Sequence, residues 1–565
     1  MKTTRLWLSI GALCSLLPIA VKAQQNDTTI NRNVVVEREF QPVIQHAGKL
    51  NTTLQQVETR IEPVNLSFSD YSEPFSPALH LSPLAASTIR FAHPQPTNGH
   101  ITVAGGYPCS YLDFEYEKQD KKNGVELNVW ANHDAQWGIK TNSFSAAGLR
   151  VSKTFSRPTL FFDVAGSHLF FTRYGRYYES DKNLSISRYS ELKAEDKQQA
   201  WDVAAQLGLH ASSNSVFPYS VAVGYTAYVL PQWVTEHSAR AFLWTGLAIE
   251  EHMGAIDFTM QNTFMAVEKK LNIADTLYNP RHGFRIHPYY EYKNDNLILH
   301  AGVNLDLNIG RGQLFSTIKD ISFAPSPDVE IEYRIIPSWL AVYAKATGHF
   351  GYGTVKDFMN ANQYRNPELA IVSHHVTAYT PVDATVGFKI KPVDGLFFDI
   401  HGGYARLQNT INVIAPTVND LKVVPVPFLE YEYTDYNRWR VGAEMTYHYR
   451  DIIHIGLEGH YYNYMGKAYD RPDWDAELHI NANIDSKWSI YSDNCFAGKR
   501  TALLSDKTTA TLKPTIDLSL GVRYNVNRWL YCYAQLNNYL HRFNDLYYGY
   551  QSQGINGRIG ISWRF

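Results

Sequence analysis

Leu297-Ile298-Leu299-His300-Ala301-Gly302-Val303-Asn304-Leu305-Asp306-Leu307-Asn308 decides how the rest of the chain is read. The odd positions are apolar and the even ones mostly polar, Ile298 excepted. A strand places successive side chains on opposite faces, so this stretch has one greasy face and one wet face. The same alternation recurs in both directions along the chain. Ile516, Leu518, Leu520, Val522 and Tyr524 alternate with Thr515, Asp517, Ser519, Gly521 and Arg523. Ala476, Leu478, Ile480, Ala482 and Ile484 alternate with Glu477, His479, Asn481 and Asn483, and Val125, Leu127, Val129 and Ala131 with Glu126, Asn128, Trp130 and Asn132. Period two runs from about residue 99 to Phe565. A soluble sandwich alternates in the same way, so the period alone does not choose between sandwich and membrane barrel.

Three further features do choose. Segments such as 451–464 and 527–542 exceed the ~5–6 residues of a typical soluble strand and suit a tilted span of ~9–11 residues. Connections alternate short and long. Ser156-Arg157-Pro158, Lys391-Pro392 before Gly395, Asp485-Ser486-Lys487 and Asn525-Val526-Asn527-Arg528 read as tight turns, and 174–198, 352–379, 412–436, 500–511 and 543–554 as long polar, Tyr-rich loops. Short periplasmic turns and long outer loops are the asymmetry of an outer-membrane barrel. The chain also ends Arg558-Ile559-Gly560-Ile561-Ser562-Trp563-Arg564-Phe565, an alternating strand with a terminal aromatic. That ending resembles the signal read by the outer-membrane assembly machinery.

Composition agrees. The 565 residues are 45% apolar, 19% charged and 14% aromatic, with 38 Tyr, and mean hydropathy is -0.30. Beyond the N-terminus no apolar run reaches the ~20 residues of a spanning helix. Apolar content is too high for disorder. A formal charge of -2 gives no basic surplus for nucleic acid. Aromatic rings with a polar tip are favoured at the membrane interface, so the Tyr content fits a barrel. Strands laid end to end give about 22, starting near 99, 109, 123, 143, 158, 199, 216, 234, 254, 283, 296, 325, 338, 380, 394, 437, 451, 474, 488, 512, 528 and 555. Residues 355–372 read as a short helix within an outer loop.

Met1-Lys2-Thr3-Thr4-Arg5 is a basic start, Leu6–Val21 is mostly apolar, and Val21-Lys22-Ala23 supplies small residues at a cleavage site. Residues 1–23 therefore read as a secretory signal peptide. Cys14 follows Gly11-Ala12-Leu13, and bulky Leu13 argues against a lipobox. Loss of Lys2, Arg5 and Lys22 takes the net charge from -2 to -5. Cys109, Cys495 and Cys532 are odd in number and lack metal-ligand spacing, so neither a disulfide framework nor a zinc site is expected from them. Residues 24–98 carry Pro42, Pro63, Pro74, Pro77, Pro83, Pro94 and Pro96. Such density blocks long helices and central strands. The segment reads as an irregular periplasmic tail or a lumen filler, ahead of a barrel over 99–565.

The stretch from Lys513 onward carries Lys-Pro-Thr-Ile-Asp-Leu, Gly-Val-Arg-Tyr, Asn-Arg-Trp, Gln-Leu-Asn-Asn-Tyr-Leu, Tyr547-Tyr548-Gly549-Tyr550 and Gly554-Ile555-Asn556. It resembles the C-terminal barrel of TonB-dependent receptors, with Gln535, Asn537 and Asn538 in the places of the family's Gln-x-Asn-Asn motif. The resemblance implies a 22-stranded barrel in the outer membrane of a Gram-negative bacterium. It also implies a plug of about 120 residues, and residues 24–98 show no plug motif. Val34-Val35-Val36-Glu37-Arg38 fits a TonB box or an ordinary edge strand equally.

Candidate sites are few. No nucleophile elbow, His-Glu-x-x-His or phosphate loop is present, and no catalytic, cofactor or metal residues are assigned. His374-His375 read as solvated loop residues. His454, Glu458, His460, Glu477 and His479 fall on inward faces and read as lumen wall. Arg440, Glu444, Asp517, Arg523, Arg558 and Arg564 also point inward with mixed signs, against a strongly charge-selective pore. Tyr174, Tyr177, Tyr178, Tyr547, Tyr548 and Tyr550 read as an interfacial belt or a ligand grip, the belt preferred. Leu520, Leu299 and Ile480 are assigned to lipid, and Ser519, His300 and His479 to the lumen. The expectation is a non-enzymatic barrel taking part in uptake across the outer membrane. The alternative is a plugless scaffold subunit of an outer-membrane complex. Expected partners are membrane lipids, the assembly machinery through Phe565, and a lipoprotein or periplasmic protein, with TonB left open.

Overall fold

Consecutive long strands between Gly99 and Arg564 pair antiparallel, and the first, Gly99–Tyr107, also pairs with the last, Asn556–Arg564. The sheet therefore closes on itself, which removes every edge. The computed structural model describes residues 98–565 apart from 121, 138–140, 157, 174–196, 212–215, 272–279, 310–322, 374–377, 418–427 and 451. The expected signal peptide, residues 24–97, Val34–Arg38, Tyr174, Tyr177, Tyr178 and His374-His375 lie outside the described residues. Among those described, the barrel has 22 strands, and each begins within three residues of its expected start.

The alternation sets the facing. Val221, Val223 and Tyr225, Val386 and Phe388, and Ile559, Ile561 and Trp563 are exposed on the outer surface. Leu520 is 44% exposed and its neighbour Ser519 only 2%. Exposed Tyr107, Trp137 and Trp474 lie toward one end of the wall, and exposed Trp339, Tyr449, Trp488 and Trp563 toward the other. A closed barrel with an apolar outer band between two aromatic girdles is an outer-membrane protein. Cys109, Cys495 and Cys532 form no disulfide.

The two ends differ. At one end the connections are tight: Glu250-Glu251 joins two 16-residue strands, and Asp394-Gly395 joins Tyr379–Val393 to Leu396–Gln408. Gly395 has φ +84°, and a Cβ there would lie 2.1 Å from the His448 carbonyl oxygen, so the turn requires glycine. Phe565 is at the same end, exchanging both backbone hydrogen bonds with Gly99 at 3.0 Å. At the other end lie the long connections, which by the barrel rule face outward from the cell.

Two expectations need correction. The strand expected over 527–542 is only Leu530–Asn537. Asn538 takes φ +47°, and its amide group donates to the carbonyls of Arg542 and Gln553, which turns the chain out of the sheet. The expected helix over 355–372 is two helices, Val355–Ala361 and Pro367–Ser373. Pro367 suits a first helical turn but not an interior, so the chain breaks before it.

Candidate functional site: a capped lumen

The outer loops form a cap with its own core. Ile411–Ala415 pairs antiparallel with Glu430–Tyr433 and parallel with Arg500–Leu504, which pairs with Thr509–Leu512, giving a four-stranded sheet separate from the barrel. The hairpin Asp545–Tyr547/Tyr550–Gln551 and the two helices complete the cap. Phe171, at the end of a barrel strand, packs with Tyr364, Val413, Ala415, Leu429, Leu504 and Tyr550. The Tyr364 ring centroid lies 4.9 Å from that of Tyr550 and 5.9 Å from that of Phe171. These residues come from connections on well-separated parts of the barrel circumference, so the core ties loops together across the mouth.

The first helix is anchored on the wall. Thr354 Oγ1 accepts from the Asp357 N–H at 3.0 Å as N-cap. Glu236, buried on Val234–Ile249, accepts from the N–H groups of Val355 at 2.7 Å and Lys356 at 3.2 Å. Its carboxylate thus takes two of the donors that a helix start leaves unpaired. Lys356 Nζ reaches Asp202 at 2.8 Å. Val355, Met359, Ala370 and Ile371 pack on Ala200, Tyr228, Leu230 and Val234 of the wall.

The residues that carry the family resemblance hold the cap down. Gln535 Nε2 donates to Asn537 Oδ1 at 2.8 Å, Asn537 Nδ2 donates to Asn556 Oδ1 at 3.0 Å, and Asn538 Oδ1 accepts from the Arg542 N–H at 3.0 Å. The three side chains therefore splint the loop 538–555 to its flanking strands. Tyr547, Tyr548 and Tyr550 belong to the same cap. Tyr550 is fully buried, which overturns the preferred assignment of these tyrosines to the interfacial belt: the loop folds inward over the mouth, not along the membrane.

Buried charge also ties the cap. Arg471 Nη1 donates to Asn412 Oδ1 at 2.8 Å and Nη2 to the Ile411 carbonyl at 3.0 Å. Arg500 Nη1 donates to the Leu546 carbonyl at 3.0 Å. Asp470 lies between these arginines with both carboxylate oxygens buried and no hydrogen bond to either. Burial pushes its carboxyl up to about 7, against the lowering fields of Arg500 and Arg471. Burial likewise raises the Tyr547 phenol.

Beneath the helix lies a lumen cavity of about 960 Å³. Arg150, Asp163, Gln206, Arg240 and Gln261 line it from the wall, and Thr354, Lys356 and Asp357 from the cap. The expected inward residues separate into pairs. His460 contacts Asp475 at 3.2 Å and Glu458 at 3.6 Å, and His479 contacts Asp493 at 2.8 Å and Glu477 at 3.4 Å. His454 meets His448 across a tight turn. They form a polar wall and not one catalytic cluster. Arg438 and Arg440 both reach Asp383, at 3.0 and 3.3 Å. Arg558 reaches Gln535 at 3.3 Å and Asp134 at 3.7 Å. Charges of both signs thus neutralise each other along the wall. Part of the lumen is aromatic: Tyr491, Tyr531 and Tyr533 are buried there beside Ala104. A Cβ on Gly521 would fall 1.8 Å from the Tyr491 ring, so glycine at 521 is what lets that ring lie against the sheet.

Among solved structures, the siderophore receptor PirA from Acinetobacter baumannii matches with a TM-score of 0.63 at 10% identity, over 84% of this chain and 81% of that one. A mutant ferric enterobactin receptor, PfeA, from Pseudomonas aeruginosa matches with a TM-score of 0.60 at 10% identity, over 83% and 80%. The barrel fold is that of the TonB-dependent receptors. The ferripyoverdine receptor of Pseudomonas aeruginosa agrees, with a TM-score of 0.60 at 11% identity over 84% of this chain and 73% of that one. No family model and no curated protein matches the sequence. In this TonB-dependent-receptor-type barrel the Gln535-x-Asn537-Asn538 motif is therefore explained by the cap loop it fixes.

Proposed function

We propose that this chain takes part in the uptake of a bulky solute across the outer membrane, as a receptor-type barrel gated by its own cap. The observation that carries this reading is the mouth itself: a wide, polar-walled barrel whose outer end is bridged by a loop-built core over a lumen cavity. A wide lumen left open would leak, and closing it with an independently packed unit keeps a route that can be reopened. The solved structures it resembles are receptors for ferric siderophores, which supports the reading for this chain without naming its solute. The division into a cleaved leader at 1–23, an irregular periplasmic or lumen-filling segment at 24–98 and a barrel at 99–565 belongs to the same proposal. So do docking of TonB or a lipoprotein near residues 24–98 and delivery through Phe565.

The test is uptake by a deletion strain and its complemented parent, measured for a panel of large labelled solutes with and without a protonophore. Loss of one energised uptake activity on deletion is expected. Unchanged uptake, together with a lipoprotein copurifying at fixed stoichiometry, would establish the scaffold role instead.

A further inference from the structure

Four adjacent strands bring their inward side chains together on the lumen wall. His252–Val267 supplies Asp257, Arg281–Lys293 supplies His287 and Glu291, Leu297–Ile309 supplies His300, and Phe323–Ile336 supplies Asp328. The Nε2 atoms of His287 and His300 lie 2.9 and 3.1 Å from the same oxygen, Asp328 Oδ2. Their other ring nitrogens each meet a separate carboxylate: Nδ1 of His287 is 3.0 Å from Asp257, and Nδ1 of His300 is 3.0 Å from Glu291.

A carboxylate on Nδ1 holds the imidazole as the tautomer protonated there and aims the Nε2 lone pair elsewhere. Here both Nε2 atoms converge on one oxygen of a third carboxylate, where a metal ion can take the place of a proton. Nε2 of His287 is enclosed and 2.9 Å from Asp328 Oδ2, so a proton or a metal ion must stand between the two atoms. The donor atoms of His287, His300 and Asp328 all lie within 4.8 Å of one another. Around a tetrahedral ion with ligands at ~2.0–2.2 Å, donor atoms stand about 3.3 Å apart. The two Nε2–Oδ2 separations, 2.9 and 3.1 Å, lie close to that value.

The surroundings are shaped to match. A Cβ on Gly302 would come 2.8 Å from His287 Nε2, so the absence of a side chain at 302 leaves that nitrogen room. The Tyr289 ring stacks on both imidazoles, with centroids 4.9 and 5.0 Å away, and its hydroxyl accepts from Trp244 Nε1 at 2.9 Å. Pro288 sits between His287 and Tyr289, and the pairing of its strand with the next passes from Ile286–Leu305 directly to Tyr289–Gly302. Pro325 and Pro327 lie on the strand that carries Asp328. Prolines are normally kept out of sheet interiors, and a local rule broken three times beside one side-chain cluster marks a site.

We propose that His287, His300 and Asp328 bind a divalent transition-metal ion on the lumen wall, with Asp257 and Glu291 orienting the two imidazoles. Two imidazole nitrogens and one carboxylate oxygen suit zinc and its neighbours, not calcium or magnesium, which take oxygen shells. Three carboxylates surround the two imidazoles, which are neutral when they act as ligands, so a dication would offset the surplus of negative charge. Three protein ligands leave a coordination position facing the lumen, so the ion is exchangeable and not a sealed structural centre.

The experiment uses the full chain, purified from outer membranes in detergent and stripped with chelator. Zinc is titrated calorimetrically, and cobalt(II) serves as an absorbance probe of imidazole coordination. One high-affinity equivalent is expected, absent in His300→Gln and weakened about 10–100-fold in Asp257→Asn, while both variants keep the heat-modifiable band of a folded barrel. Absence of zinc binding, or binding unchanged in both variants, overturns the proposal. Should His300→Gln fail to fold, Asp257→Asn decides alone: weaker binding supports the site and unchanged affinity overturns it.

Discussion

The wall and the cap bury apolar side chains by different routes. Along the wall every second residue meets lipid, and the backbone is satisfied strand by strand, so each outward side chain contributes nearly on its own. In the cap, Tyr364, Val413, Leu429, Leu504 and Tyr550 come from distant segments with no common period and are buried against one another and against Phe171 at the end of a wall strand. The wall is thus continuous and cooperative, and the cap is a small second core resting on it. Loop-built units of this kind occupy the low-stability end of a fold, where moving parts are found. A gate needs that separation, because it must yield while the barrel stays closed.

The largest expected contrast is all-or-none and concerns the side each end faces. A cysteine at Lys507, on the exposed turn of the cap sheet, should label on whole cells, and one at Ser486 should not. The opposite pattern would invert the molecule. Asn362, within the outer loop 352–379, is buried in the cap and would be a poor site for such a label.

Next in size is a wall substitution. Lys389 and Glu332 form a buried pair at 2.7 Å, with side chains 2% and 4% exposed. Lys389→Met should cost up to about 3–5 kcal/mol, because the buried Glu332 carboxylate then keeps only the more distant Arg334, at 3.7 Å. The midpoint of the heat-modifiable transition should fall, and Lys389→Met with Glu332→Leu should restore most of it. An unchanged midpoint in the single variant would show that the pair is solvated.

Tyr550→Ala tests the cap alone. Loss of a buried aromatic costs about 3–5 kcal/mol, and here it should appear as greater entry of bulky antibiotics with the barrel midpoint unmoved. Deleting residues 24–98 while keeping the leader gives the complementary measurement. Raised permeability would make that segment a second seal, and unchanged permeability would leave the cap as the seal.

A smaller effect separates the two faces of the wall. Leu457 is 40% exposed to the outside, and the Glu458 side chain is 39% exposed to the lumen. Leu457→Arg should cost ~2–4 kcal/mol near the membrane midplane, and Glu458→Arg far less. Equal costs would mean the facing is wrong. Ser519, assigned to the lumen from the sequence, does face inward, but at 2% exposure it has no room for an arginine.

The last effect depends on pH. The Asp470 carboxyl titrates near 7 in the folded cap, against about 3.9 in an unfolded chain. Between those values the folded cap holds the proton more tightly, so this contribution is complete below the unfolded value and is lost as pH rises through about 7. Protection of cap amides, taken relative to the intrinsic exchange rate at each pH, should be lower at pH 8 than at pH 5, and Asp470→Asn should flatten the difference. A variant as pH-dependent as the parent would place the titration elsewhere.

The barrel was legible because its physics is local. Alternation gave facing, turn residues and Pro marked the ends, and strand starts followed within three residues. Asn538 shows where that reading failed: Leu540 and His541 continue the pattern, but side-chain bonds from Asn538 to carbonyls beyond it end the strand early. The His287–His300–Asp328 group was missed for a related reason. The pattern places each residue inward, with no information on which residues of neighbouring strands stand opposite.

Period two, strand length, the alternation of short and long connections and the terminal aromatic determined by themselves that this protein is an outer-membrane barrel of about 22 strands, because a strand's two faces and the membrane's thickness constrain every segment separately. Only the tertiary structure decided register, the joining of the outer loops into one core, and the meeting of two imidazoles at one carboxylate. Those depend on contacts between residues far apart in the chain, and no short stretch of sequence carries them.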